Sequence, residues 1–157
     1  MKKSPTRPDS IPQDLREFLV TGKQLEYDAE LCEAGRVVLH DPKQLKVAPV
    51  FIDSEGSPLY DEDPNAGAHG YYAVPSVSLI ARCENYYPDG ILIWLPDQSC
   101  YGTWDCDHWD VLTFASARWM DIVKDPLPFI NAQWKREVEC EYLAPWNTYE
   151  FKKGRPW

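Results

Sequence analysis

A chain of 157 residues is the size of one domain and long enough to bury roughly two-thirds of its unfolded surface. Aromatic residues make up 13% of it, which argues against intrinsic disorder, and no run approaches the roughly twenty apolar residues of a membrane span. The net charge of −9 is concentrated: residues 47–117 hold eleven acids and one base, Arg82, against fourteen acids and fifteen bases elsewhere. A block of that sign repels nucleic-acid phosphate and anionic membrane, and it attracts cations or a basic protein. Plain solubility is its simplest use.

Residues 1–9 are polar and Pro-rich with no apolar run behind them, so they read as a flexible tail and not as a secretory signal. Five cysteines (32, 83, 100, 106 and 140) are an odd number; without a signal they read as reduced thiols in a cytoplasmic protein. Ser10-Ile11-Pro12-Gln13 predicts a helix start, with Ser10 as cap and Gln13 completing a capping box. Ile11, Leu15, Phe18 and Leu19 share one face, and Gly22 supplies the stop.

Leu25 to Ala34 does not resolve between helix and strand. Arg36 to His40 is a short strand that Asp41-Pro42 breaks. Val47 to Ile52 is another, and Pro49 assigns it to a sheet edge or a bulge. Asp53 to Ser57 is a turn, and Tyr60 to Gly70 is a loop by composition. Tyr71 to Cys83 alternates like a strand, and Tyr87-Pro88-Asp89-Gly90 turns it into Ile91-Leu92-Ile93-Trp94-Leu95. Five apolar residues in a row are the pattern of a strand buried on both faces. Trp109 to Phe114 is expected as its antiparallel partner, which makes a three-strand meander.

Ser116 is the expected cap of a second helix, in which Trp119, Ile122 and Val123 share a face before Asp125-Pro126 ends it. Leu127, Ile130 and Trp134 suggest a further helical turn or two near Pro128. Val138, Cys140 and Tyr142 alternate with glutamates as a late strand. The single domain spans 10–151, and 152–157 form a basic tail. The fold class is α+β: a mainly antiparallel sheet with an N-terminal helix and one or two helices from the C-terminal half packed on it.

Three stretches carry candidate chemistry. Cys100, Cys106 and His108, with Cys83 on a neighbouring strand, offer four zinc ligands but lack the C-x2-C spacing of structural sites. Thiols that pack as small apolar side chains are the expectation, with no cofactor. In the turn Trp104 to Asp110, Asp105 or Asp107 would raise the pKa of His108 as a general base, and Cys106 would be the nucleophile. Acidic neighbours raise a thiol pKa and so oppose that role. Asp61-Glu62-Asp63-Pro64-Asn65-Ala66-Gly67 is similar to a calcium loop, but Ala66 stands where the EF-hand needs glycine and Tyr72 where it needs glutamate. It reads as a solvated loop.

Seven tryptophans are more than one core of this size buries, so some border a groove or interface. The functional expectation is a non-catalytic binding module for a basic protein partner, through Asp97, Tyr101, Trp104, Asp105, Asp107, His108 and Asp110. An immunity-type protein that covers a basic toxin is one form of it. The alternative is a metal-dependent or cysteine/histidine enzyme centred on the Trp104–Asp110 turn. No P-loop, dinucleotide fingerprint or hydrolase elbow is present.

Overall fold

The computed structural model describes residues 11–27, 35–84, 90–104 and 110–157. They form an α+β domain of two antiparallel sheets with three short helices. Helix α1 (Gln13–Val20) buries Leu15 and Leu19, with Ile11 before it, and sets Phe18 edge-on to Trp119 at 5.4 Å. Its first residues are held locally: the Leu15 amide donates to the Asp14 carboxylate at 2.9 Å. The helix begins directly after Pro12 and has no side-chain cap, so Gln13 is its first residue and does not complete the expected box; Ser10 itself lies outside the described residues.

A three-stranded sheet contains β1 (Leu25–Tyr27), β2 (Gly35–Leu39) and β5 (Ile80–Glu84) in that order. Within the stretch the sequence left ambiguous, Leu25 and Tyr27 are buried and Glu26 exposed, the alternation of a half-buried strand. The larger sheet runs β10 (Phe151–Lys152), β4 (Tyr71–Ser78), β6 (Ile91–Leu95), β7 (Cys100–Trp104), β8 (Leu112–Phe114) and β9 (Glu141–Tyr142). Strand β3 (Val47–Ile52) pairs with β4 alone, at the margin that its proline implies, and Pro49 stands opposite Pro75 in that pairing.

The stretch expected as one strand from Tyr71 to Cys83 is broken at Leu79. The Leu79 amide donates to Leu92 in the large sheet while its carbonyl accepts from His40 beside the small one, both at 3.0 Å. Fully buried Leu79 is thus the point where the chain passes from one sheet to the other.

Strand β6 has partners on both edges and cover on both faces. It pairs with β4 (Val77 opposite Trp94) and with β7 (Ile93 opposite Gly102). Leu92 and Trp94 enter a large cluster with Leu15, Leu19, Trp119, Ile122, Phe129 and Ile130. Ile93 and Leu95 enter a second one with Val50, Ile52, Val74, Cys100, Val111 and Leu143.

The expected hairpin partner of β6 is corrected. Cys100–Trp104 takes that place after a four-residue turn, and Leu112–Phe114 lies one strand further out, paired with β7. Pro96 and Ser99, the latter at φ 51°, bend the chain earlier than the polar run to Asp110 suggested. Gly102 permits the close approach of the two outer strands: a Cβ there would strike the Leu112 carbonyl.

Helix α2 (Trp119–Lys124) begins with the Arg118 amide donating to the Asp121 carboxylate at 2.8 Å, which replaces the expected Ser116 cap. Helix α3 (Leu127–Ile130) buries Phe129 and Ile130 but stops before Trp134, which is 57% exposed and outside the core. The late strand contracts to Glu141–Tyr142, and its buried anchor is the next residue, Leu143, whose amide donates to Val111 at 2.9 Å. No helix among the described residues is long and apolar enough to cross a membrane.

Ile93→Asp places a carboxylate at a position 1% exposed, with no partner within an apolar cluster. The expected cost is upward of about 4 kcal/mol, seen as loss of the cooperative melting transition. A variant that melts like the parent contradicts the central place of β6.

Candidate functional site

The pairing of β3 with β4 produces an arm that lies across one face of the large sheet, because Val50, Ile52 and Val74 must bury themselves against Ile93 and Leu95. At its tip the turn Asp53–Ser57 is closed from within: the Asp53 carboxylate accepts from the amides of Glu55 at 2.8 Å and Ser57 at 3.0 Å. That leaves the Ser57 hydroxyl free to donate to the Asp110 carboxylate at 2.8 Å. Two acidic stretches far apart in sequence meet there.

Around this contact stand aromatic groups. Half-buried Trp104 packs against the second cluster at the end of β7, and the Trp146 indole lies directly on Gly56. Beneath them is Gln133, 3% exposed, whose amide nitrogen donates to the Thr103 carbonyl at 3.0 Å, the Thr103 hydroxyl at 3.1 Å and the Asp110 carbonyl at 2.6 Å. Gln133 therefore joins the end of β7 to the approach of β8. The sequence offered no signal for it, since a glutamine between a helical turn and a polar run looks like loop.

Of the seven residues read from the sequence as one face, the four described ones, Asp97, Tyr101, Trp104 and Asp110, do not all come together. Trp104 and Asp110 share the end just described. Asp105, Asp107 and His108 lie outside the described residues. Asp97 sits in the β6–β7 turn, at the other end of β7 and so about 16 Å away along a five-residue strand. There it neighbours Tyr149, whose hydroxyl accepts from the Gln98 amide at 3.4 Å. Burial pushes the Tyr149 phenol up to about 12; the Gln98 hydrogen bond opposes the shift and the Asp97 charge adds to it.

Tyr101 is placed in the core, 2% exposed, with ring centroids 4.8 Å from Trp94 and 5.8 Å from Trp119. Its position on β7 faces the helices, so it does not reach the acidic surface. Burial first, and then the Asp14 charge, raise its phenol pKa.

The described cysteines divide between the clusters. Cys100 belongs to the second one, and burial raises its thiol to about 11. Cys83, on the small sheet, packs against the first, and its pKa is also raised by burial. A thiol held protonated is a poor nucleophile and a poor metal ligand at neutral pH. Cys106 and His108 lie outside the described residues; among those described, no three His, Cys, Asp or Glu side chains are grouped to hold a metal ion. The single base of the acidic block, Arg82, is directed to Glu84 at 3.3 Å, which also receives Arg36 at 2.9 Å.

Compared with protein-family models, with curated proteins and with solved structures, the chain gives no significant match.

Two outcomes test the site's interior. Gln133→Leu keeps volume but leaves buried acceptors of Thr103 and Asp110 without donors, so urea unfolding should shift by about 2 kcal/mol; an unchanged midpoint denies Gln133 this part. For Cys100 the folded thiol titrates near 11 against an ordinary value of 9.0. Above pH 9 the unfolded chain gains stability by ionising while the folded one does not, so stability falls between pH 9 and 11. The Tm of Cys100→Ala should fall less over that window, and parallel curves would contradict the assignment.

Proposed function

We propose that the protein is a non-catalytic binding module whose acidic end covers a basic protein partner. Asp53, Glu55 and Asp110 supply the charge, and Trp104 and Trp146 the aromatic surface. Asp105 and Asp107 lie between Trp104 and Asp110 in sequence and add to the same sign. The observation that carries the reading is the Ser57–Asp110 hydrogen bond, because it joins two acidic stretches into one surface. Carboxylates at the rim of such a surface act mainly by steering a cationic partner, while desolvated aromatic side chains contribute most of the affinity. The field that draws a basic protein also keeps away nucleic acid and anionic membrane.

A cytoplasmic immunity-type protein held against a basic toxin, such as a nuclease, is the biological form we assign to it. The enzymatic alternative rests on Asp105, Cys106 and His108, and no further observation favours it.

The test is the association rate of the purified chain with basic toxin nucleases, measured at several salt concentrations. Glu55→Gln with Asp110→Asn removes two charges yet keeps an oxygen to accept from Ser57, so the melting temperature should hold. Association should slow five- to tenfold at low salt, and its salt dependence should flatten, with dissociation little changed. Association that keeps its full rate and salt dependence, or no binding at physiological salt, would refute the proposal.

A further inference from the structure

The loop between β3 and β4, residues 60–70, is a series of turns that presents backbone to its neighbours. The Ala66 amide donates to Asp63 at 3.1 Å, Ala68 to Asn65 at 3.0 Å and Gly70 to Gly67 at 2.9 Å. Against it lie residues 151–157. Phe151 and Lys152 pair with Tyr72 and Tyr71 as an added strand, and the Phe151 ring stands 4.9 Å from that of Tyr72. The Arg155 guanidinium donates to the carbonyl oxygens of Asp61, Asp63 (3.0 Å) and Pro64 (3.3 Å). Trp157 closes the array edge-on to Phe51, with ring centroids 5.5 Å apart.

Two glycines shape this seat. Gly67 (φ 79°) and Gly70 (φ 95°) hold conformations that other residues rarely adopt. A Cβ on Gly67 would strike the Gly154 carbonyl and Pro156, and one on Gly70 would strike Phe151. The loop that resembles a calcium site in sequence thus takes a guanidinium as its cation.

We infer that residues 60–70 and the adjoining edge of β4 are a binding seat for an extended basic peptide, and that residues 151–157 are its internal occupant. The recognition mode is strand addition at a sheet edge, with main-chain pairing for affinity and an arginine and an aromatic ring for choice of partner. The occupant holds through few anchors: Phe151 stays 38% and Trp157 48% exposed. An extended segment of a partner protein that carries arginine and a flanking aromatic residue would displace it. Only the identity of that competitor rests on the proposed function. An internal ligand lowers the apparent affinity of an external one by its own occupancy.

A fluorescent synthetic peptide with the sequence of residues 150–157 tests this without any partner protein. The full chain should bind it weakly, and the full-length Arg155→Ala, Trp157→Ala variant at least tenfold more tightly, with affinity falling as salt rises. A folded variant that binds no better than the parent overturns the proposal. On the unaltered chain, saturating unlabelled peptide should speed amide hydrogen exchange at Phe151 and Lys152 severalfold, a readout that survives if the variant fails to fold. Unchanged hydrogen exchange overturns the proposal, as does a dimer formed by exchange of residues 151–157, since the occupant would then be a second copy. Failure here leaves the acidic end at Asp110 standing, and failure there leaves the seat.

Discussion

Ile91–Leu95 has no solvent-facing side, and most other elements are placed by what that requires. Leu92 and Trp94 need one apolar layer, which the three helices and the small sheet supply; Ile93 and Leu95 need another on the opposite face. The second layer comes from the β3–β4 arm, Val111 and the segment after Leu143. Strands buried on both faces are ordinary where helices cover a parallel sheet, but an antiparallel sheet usually leaves one face to water. Here the chain covers that face with its own margin strands.

The arm that completes the apolar layer also arranges the charges. Its tip brings Asp53 and Glu55 to Asp110, while Asp97 stays at the far end of β7. The loop that returns from the arm meets Arg155 through backbone carbonyls, so one part of the acidic block faces the chain's own basic residues and another faces outward. Negative charge that is uniform along residues 47–117 in sequence becomes two different surfaces in space.

Burial governs the chemistry of the interior. The Cys100 thiol and the phenols of Tyr101 and Tyr149 all have raised pKa values with desolvation as the first cause. Groups of this kind stay protonated at neutral pH, where thiolate and phenolate nucleophiles need the reverse. Their contribution is to packing, as in the contacts of Tyr101 with Trp94 and Trp119.

Local features of the chain were legible in the sequence by itself: α1 from its apolar face, β6 from an uninterrupted apolar run, the marginal position of β3 from Pro49, and the α+β class from their order. Each depends on residues close in sequence, where periodicity and proline chemistry act directly. Tertiary structure alone decided which strand pairs with β6, since Cys100–Trp104 and Leu112–Phe114 have similar apolar character and a four-residue turn selects the nearer one. It likewise separated Asp97 from Asp110, turned Tyr101 inward and set Gln133 beneath Thr103 and Asp110. Those outcomes follow from register and from the curl of one sheet margin over another, where a displacement of one residue reverses which face every side chain meets.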